Sequence, residues 1–302
     1  MNKQSLYELV ARHAAEEGLT STPIEGLQLL RISQPIERLP AITPASMCCL
    51  VQGSKRAYLG GVAHTYDPDH YLCASMPLPV EAEVPFATAA EPVLGVMLDL
   101  DTLMMAETLV SYEAVAHSGR SESARELSPG LVIARMDNAF VEAVGRLVQL
   151  LDDPAALHVL ASGRLREVLF AIIEGEAGPL VRRTFNGALE ITRVLAYLRE
   201  NLSEPVSVDD LARRAGMSRA VFHRRFKDAT TFSPLQFIKT MRLSHAAMQL
   251  VSGETVNVVA EAVGYVSPSQ FSREFRRQFG ASPRQWAKTV AGSANGSTAV
   301  GG

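Results

Sequence analysis

The spacing of apolar residues divides the chain into an N-terminal stretch of short apolar runs and a longer remainder with helical periodicity. Between about residues 20 and 100, short apolar runs alternate with turns that contain Gly, Pro or Asp. Strands are predicted at 47–52, 56–59, 70–74 and 93–98, with turns at 59–61 and 67–69. Short strands with frequent turns and no intervening helices favour a small antiparallel barrel or sandwich.

From Asp101 onward the pattern becomes helical, and we expect helices over about residues 101–175. Apolar residues recur there at intervals of three to four positions, namely Phe140, Val144, Leu147, Leu151, Leu165, Val168, Leu169, Ile172 and Ile173. A linker is expected near 175–186, because Gly178 and Pro179 interrupt the pattern. A further helix follows, with the apolar residues Ile191, Val194, Leu195 and Leu198.

The C-terminal third contains one helix–turn–helix pattern twice, at about 207–230 and 255–280. The turn glycines Gly216 and Gly264 lie 48 residues apart, and the Ser-Pro pairs that begin at Ser233 and Ser282 lie 49 residues apart. Capping residues predict the helix starts, and these are Ser207, Ser218, Ser233, Ser267 and Ser282. A repeated unit of this size that keeps arginines on one helix indicates two DNA-reading modules.

In the second helix of each unit, aromatic and apolar residues at helical spacing predict the buried side. They are Val221, Phe222, Phe226, Phe271 and Phe275. The residues left outside are Arg219, His223, Arg224, Lys227, Ser269, Ser272, Arg273, Arg276 and Arg277. Arginine suits a major groove because its planar fork pairs bidentately with guanine or phosphate. The alternative is a solvated helix face, but the same helix of both repeats carries these cations after a turn glycine.

The duplicated block resembles the DNA-binding domain of AraC/XylS-type transcription regulators, in which a long helix joins two helix–turn–helix units. That connector would span 234–252 and bury Phe237, Met241, Leu243, Ala247 and Leu250. The resemblance implies that each recognition helix enters a segment of the major groove. It also implies the following reading residues: Arg219, Ala220, His223 and Arg224, then Ser269, Gln270, Ser272 and Arg273.

The N-terminal half resembles the cupin-like sensor of one branch of that family, some of whose members respond to reactive aldehydes. The resemblance rests on segments 50–56, 67–71 and 77–80, which follow one another in the expected order. Together the two resemblances imply an α+β chain with a cupin-like β-barrel and flanking helices at 1–182 and an all-α double helix–turn–helix domain at 187–290. A tail over 291–302, rich in Gly, Ser and Ala, is expected to be disordered.

The family resemblance also implies partners. They are an operator in double-stranded DNA, RNA polymerase, a small organic effector and a second copy of the chain, with helices between sensor and DNA domain making the dimer contact. Activation is the commoner outcome in the family, and activator and repressor both stay open for this chain.

Charge separates the chain into the same two parts. Residues 186–290 contain 15 Lys and Arg against 9 Asp and Glu, a balance of +6, whereas the rest has 14 against 23, a balance of −9. The overall charge of −3 therefore conceals a basic C-terminal module, as expected for a domain that binds a polyanion. With 302 residues, 47% of them hydrophobic, the chain can form two well-packed domains.

Two hypotheses describe how the sensor works. Non-covalent binding of an organic molecule in the barrel is preferred, with Tyr58 and His64 as candidate contacts. The alternative is a thiol-based sensor of electrophiles or oxidants that uses Cys48, Cys49 or Cys73. Because strand residues alternate, Cys48 and Cys49 should point one inward and one outward.

An enzyme is the third hypothesis, since cupins also include metal oxygenases and isomerases. The barrel region has only His64 and His70, without the close His-x-His pair that such metal sites use. We therefore expect no catalytic residue, no metal and no cofactor. The first 19 residues include Lys3, Glu8 and Arg12, unlike a secretory signal, and no apolar run approaches the roughly 20 residues that span a bilayer, so a cytoplasmic protein with no membrane contact is expected.

Overall fold

The N-terminal half folds as two antiparallel sheets that share one core. The structure is a computed structural model, and it describes residues 1–114, 130–187 and 189–294. Its strands are β1 Gly18–Ser21, β2 Leu27–Ile32, β3 Ile36–Thr43, β4 Ser46–Gln52, β5 Lys55–Leu59, β6 Val62–Tyr66, β7 His70–Ala74, β8 Leu78–Val84, β9 Val93–Asp99 and β10 Leu131–Arg135. The predicted strands correspond to β4, β5, β7 and β9, so all four are confirmed.

The strand order places six strands in one sheet and four in the other. The six-stranded sheet runs β1-β2-β9-β4-β7-β10, and the four-stranded sheet runs β3-β8-β5-β6. Leu50 and Leu72 of the first sheet and Leu59 and Val80 of the second lie in one hydrophobic cluster between the sheets. The expected α+β class with an N-terminal cupin-like barrel is confirmed.

Helices cover the outer face of the six-stranded sheet. They are α1 Lys3–His13, α2 Thr102–Glu113, α3 Asn138–Gln149, α4 Pro154–Glu174 and α5 Gly178–Gly187. Tyr71 of β7 stacks on Phe140 of α3 with ring centroids 4.1 Å apart. The predicted apolar stripes face this layer, and Val144, Leu147 and Ile172 are fully buried in it.

Three expectations about the bounds of helices and strands were wrong in detail. Strand β10 lies in the region expected to be helical, because Leu131–Arg135 pairs with β7 across the sheet. Helix α5 occupies the expected linker, since Pro179 stands at the start of the helix, where its missing N–H has no partner to lose. Helix α12, Pro283–Ala294, takes in the first four residues of the expected tail, and residues 295–302 lie outside the described part.

The described residues of the C-terminal part form helices joined by short turns and loops, with no strand. Its helices before α12 are α6 Leu189–Glu200, α7 Val208–Arg214, α8 Arg219–Thr230, α9 Pro234–Val251, α10 Val256–Ala262 and α11 Pro268–Phe279. The five predicted serines each cap a helix by accepting a hydrogen bond from the backbone N–H three residues on. Nowhere in the described residues is a helix long and apolar enough to cross a membrane.

Two hydrophobic cores meet on the connector helix α9. Phe237, Ile238 and Met241 belong to the cluster that contains the first helix–turn–helix unit and the space between the two sheets. Leu243, Ala246, Ala247 and Leu250 belong to a separate cluster with Phe271 and Phe275 of the second unit. The first unit is therefore packed with the sandwich, and the second unit has a core of its own.

The residue that ends each recognition helix differs between the two units. Thr231 caps the C-terminus of α8 with φ +68°, and Gly280, 49 residues later, caps that of α11 with φ +76°. Of the described residues, Thr231 alone adopts positive φ without being glycine. A β-branched side chain in this region costs about 1–2 kcal/mol.

We expect Thr231→Gly to raise the free energy of unfolding by about 1 kcal/mol, because glycine adopts this backbone conformation without strain. The matched change Gly280→Thr should lower it by about 1–2 kcal/mol. Urea unfolding of both variants measures the two effects. A neutral or destabilising Thr231→Gly would mean that contacts of the threonine side chain near Gly60 outweigh the strain.

Candidate nucleic-acid interface

Helix α8 presents a polar face beside its buried aromatic residues. Phe222 and Phe226 are fully buried, with ring centroids 5.3 Å apart, and they anchor the helix. Val221 is only half-buried. The predicted DNA-binding residues of this helix are all exposed, namely Arg219, Ala220, His223, Arg224 and Lys227. Since successive helical residues are about 100° apart, these positions fall within an arc of about 140° and form one face.

Helix α11 presents an equivalent face. Phe271 and Phe275 are fully buried, 5.5 Å apart, on the opposite side of the helix. The predicted residues Ser269, Gln270, Arg273, Arg276 and Arg277 are exposed, and Ser272 is half-buried. In each recognition helix, the residues predicted to bind DNA therefore lie on one solvent-facing side.

The two faces differ in charge when the helices are aligned on their phenylalanines. Phe222 and Phe271 lie 49 residues apart, which pairs Arg224 with Arg273 and Lys227 with Arg276. The same offset pairs Asp228 of α8 with Arg277 of α11. The offset also pairs Arg219 with Pro268 and Arg225 with Glu274, so α8 has a net charge of +3 and α11 of +2.

An ion pair holds Arg219 at the start of α8. Its Nη1 lies 3.2 Å from a carboxylate oxygen of Asp209 in α7, and both side chains are exposed. Exposed pairs of this kind contribute about 0–1 kcal/mol. Arg219 therefore remains available to a DNA phosphate or base.

Glu274 fixes the orientation of α11 from its inner side. It accepts hydrogen bonds from Lys239 Nζ at 3.0 Å and Tyr265 Oη at 2.8 Å, and Gln270 Nε2 lies 3.4 Å away. Burial acts to raise the pKa of Glu274, but these hydrogen bonds outweigh it and the pKa is lowered. The sequence did not identify Glu274, Tyr265 or Lys239 as residues that position α11. The local signal for this role was one acidic residue within a cationic helix.

The three cysteines divide between the two sides of the six-stranded sheet. Cys48 faces the space between the sheets, where Tyr66 Oη donates to its Sγ at 3.6 Å. Cys49 and Cys73 face the helical layer. The predicted alternation is therefore present, but the outward side is covered by helices and all three thiols are buried and free.

Burial makes two of these thiols hard to ionise. It raises the pKa of Cys73 to about 12 and raises the pKa of Cys49 well above its ordinary value, where the neighbouring Cys48 adds to the effect. Because the thiolate is the nucleophile, Cys49 and Cys73 react slowly with electrophiles at neutral pH.

Tyr58 and His64 lie on different faces of the four-stranded sheet. Tyr58 points outward, where its Oη donates to Glu83 at 2.5 Å and the Arg38 guanidinium lies 3.8 Å from its ring centroid. His64 pairs with Ala57 across β5 and β6 and so faces inward. Its Nε2 is buried and, within the described residues, has no hydrogen-bond partner, and burial lowers the pKa of His64. The five predicted sensor residues thus do not form one cluster.

Within the described residues, no three His, Cys, Asp or Glu side chains lie close enough together to hold a metal ion.

Two family models match the chain, one for each half. A model described as the AraC-type transcriptional regulator N-terminus matches residues 23–180. A helix–turn–helix domain model matches residues 211–289 and so includes both recognition helices.

Curated relatives resemble part of the chain. The HTH-type transcriptional activator RhaS of Escherichia fergusonii is 29% identical over 154 residues, which are 50% of this chain and 55% of RhaS. The MmsAB operon regulatory protein of Pseudomonas aeruginosa is 32% identical over 133 residues, which are 44% of this chain and 41% of that protein. The chain thus spans about half the length of the curated relatives it matches.

Crystal structures of ToxT from Vibrio cholerae share the fold over most of the chain. An apo form of a ToxT variant has a TM-score of 0.53 and 11% identity, and the match covers 91% of this chain and all of that chain. ToxT with a bound unsaturated fatty acid has a TM-score of 0.51 and 12% identity, with 88% of this chain and 95% of that chain covered. At such identities the likeness shows a common fold.

We expect all three thiols to resist alkylation in the folded protein. At pH 8, iodoacetamide should label each cysteine at least about 100-fold more slowly in the native than in the urea-unfolded protein, because all three thiols are buried. For Cys49 and Cys73 the raised pKa values also make the reactive thiolate scarce. Mass spectrometry of tryptic peptides measures each site. Fast labelling of one cysteine in the native state would contradict this expectation and would support the thiol-sensor hypothesis.

Proposed function

The chain belongs to the AraC-type family of transcriptional regulators, and from this membership we propose that it regulates transcription by binding a bipartite operator through α8 and α11. The single observation that carries the proposal is the pair of exposed polar faces, each on a capped helix backed by two buried phenylalanines. Both faces are rich in arginine or lysine, the side chains that bind phosphate and guanine.

We further propose that the operator consists of two adjacent major-groove segments on one side of the DNA. The connector α9 has 18 residues, so it spans roughly 27 Å between the units. This length is of the same order as one helical turn of B-DNA, about 34–36 Å. Contact with RNA polymerase would follow from binding beside a promoter, and RhaS, named as an activator, supports activation as the outcome.

The proposed effector is a small organic molecule held without a covalent bond between the two sheets. His64 supports this proposal, because its buried Nε2 has no hydrogen-bond partner within the described residues. A buried polar atom left unpaired costs about 1–3 kcal/mol, and a ligand that hydrogen-bonds to it would remove that cost. Tyr66 and Cys48 add two further polar groups inside the same core. ToxT, which has the same fold, is described with a bound unsaturated fatty acid, and this supports an organic effector. Because all three thiols are buried, covalent sensing is the weaker proposal.

The proposed location is the cytoplasm, where the DNA lies.

The experiment that tests the function is genome-wide DNA occupancy of the intact protein, followed by salt-dependent binding to the strongest site. Discrete sites that span two major-groove segments are expected, and the neighbouring genes would identify the effector class. Diffuse binding without discrete sites would overturn the proposal. Turnover of a small molecule or a stoichiometric metal in the purified protein would instead favour an enzyme.

Arg273→Ala and Arg277→Ala separate base reading from phosphate contact. Arg273→Ala should cost about 1–3 kcal/mol and relax base preference at one position, whereas Arg277→Ala should weaken all sites equally and reduce the salt slope by about 1. Fluorescence anisotropy on the operator and on single-base variants measures both. Arg193→Ala, an exposed arginine of α6, is the matched control. Equal, sequence-independent losses from both variants would refute base reading by Arg273.

We also propose that the protein is a homodimer formed through an exposed apolar face of α2 and α4. Leu103 and Val110 of α2 are 69% and 70% exposed, one turn on either side of Glu107. Val159 and Phe170 of α4 are 76% and 51% exposed and share a helix face with Arg166. The salt bridge of 3.0 Å between Glu107 and Arg166 joins the two helices, so the apolar residues border one surface. Because its two charges neutralise each other, a second copy can cover this surface without burying an unpaired charge.

Phe170→Glu should weaken dimerisation by about 30-fold or more, about 2 kcal/mol, because it places an unpaired charge in the interface. Sedimentation velocity over a range of concentrations measures the monomer–dimer equilibrium. Leu235→Glu, a similarly exposed apolar residue at the start of α9, is the control and should leave the equilibrium unchanged. An unaltered dimer with Phe170→Glu would place the interface elsewhere.

A further inference from the structure

The connector helix α9 changes its surroundings between two adjacent apolar residues. Met241 is buried in the core of the first unit, and Leu243 is buried in the core of the second. Arg242 lies between them, at the boundary where the two units meet. The apolar packing of each unit ends at this boundary, so contacts at Arg242 bear directly on the rotation of one unit relative to the other.

Arg242 bonds to backbone of both units at once. Its Nε donates to Leu202 O at 2.8 Å and its Nη2 to Glu204 O at 2.7 Å, both in the loop that leads into α7. Its Nη1 donates to Gly264 O at 3.4 Å, in the turn before α11. One side chain of α9 therefore joins the entry of the first unit to the turn of the second.

The guanidinium group suits this junction for two reasons. Its donors diverge in one rigid plane, so three carbonyl oxygens in different directions can be met by one side chain, which a lysine ammonium on a flexible stem does less well. Leu202 lies just beyond the C-terminus of α6, where the helix dipole is negative and favours a cation. The positive charge of the half-buried Arg242 is thus balanced by backbone dipoles.

The turn glycines show independently that the two units touch here. Gly264 has φ +79°, and a Cβ on it would lie 2.6 Å from Ser203 O and 3.0 Å from Arg242 Nη2. Gly216, the equivalent glycine of the first unit, has φ +64° but nothing within 4 Å of such a Cβ. The second turn is therefore packed against the 202–204 loop, and the first turn is open.

We infer that Arg242 is a positioning residue that fixes the rotation of the second helix–turn–helix unit against the first, and so sets the spacing between the two DNA segments that the protein accepts. The turn at Gly264 leads within four residues to Pro268, the first residue of α11, so its placement determines where the second recognition helix begins. This inference rests on the proposed bipartite DNA binding.

The test uses the full-length protein and a set of operator probes in which 1, 2 or 5 base pairs are inserted between the two segments. Each added base pair rotates the second segment by roughly 35°, so the wild type should lose about 10-fold or more in affinity with one insertion. Arg242→Ala should bind the natural spacing about 10-fold more weakly, and its loss on inserting one base pair should shrink to about 2-fold. Arg242→Lys should also lose spacing preference, because one ammonium cannot satisfy all three carbonyls.

Two glycine variants provide a matched comparison. Gly264→Ala and Gly216→Ala impose a similar backbone strain, but only the first pushes against Ser203 and Arg242. Gly264→Ala should therefore reproduce the loss of spacing preference, and Gly216→Ala should retain it. A probe with the second segment alone should bind the wild type and Arg242→Ala equally.

The outcomes separate this inference from the function on which it rests. Absence of any discrete bipartite site for the wild type would defeat the proposed function itself. A wild type with strict spacing and an Arg242→Ala variant that is equally strict would overturn the positioning role. An equal loss on every probe, accompanied by a lower melting temperature, would also overturn it, because that pattern describes general destabilisation.

Discussion

The sharing of one rigid helix between two separate hydrophobic cores is the constraint on which the DNA-binding part depends. The first half of α9, with Phe237 and Met241, is buried with the first unit, and the second half, with Leu243 and Leu250, is buried with the second. A helix rises 1.5 Å per residue, so α9 fixes the distance between the units. Rotation about the helix axis is a separate degree of freedom, and the directional hydrogen bonds of Arg242 and the Lys239–Glu274 ion pair act on it.

The same division of cores determines how the sensor can influence DNA binding. Only the first unit shares a core with the sandwich, and a Cβ on Gly130, beside β10, would lie 3.2 Å from the Ala229 carbonyl oxygen of α8. A Cβ on Gly60, in the β5–β6 turn, would lie 3.6 Å from Thr231 Oγ1. An effector shifts a conformational balance only as far as it binds the two arrangements differently. A change between the sheets would therefore reach α8 directly, and α11 through α9 and Arg242.

Local chemistry made the helical block predictable, whereas contacts between distant segments did not. The serine caps, the turn glycines and the buried stripe of α9 each depend on residues within a few positions, and all are found in the structure. Strand β10 could not be placed, because Leu131–Arg135 is defined by its partner β7, about 60 residues earlier. The alternation of Cys48 and Cys49 was predictable, but not that helices cover the outer face. Arg242 meets carbonyl groups 22 to 40 residues away, and no local pattern marks such a contact.

The two units, although repeats of one pattern, are suited to different roles. The second has its own core around Phe271, Phe275 and Trp286, separate from the core that the first unit shares with the sandwich. The first unit is packed against the sensor, so its orientation is the one that effector binding can alter. The response to the effector would then begin in the first unit, and the boundary at Arg242 would transmit it to the second.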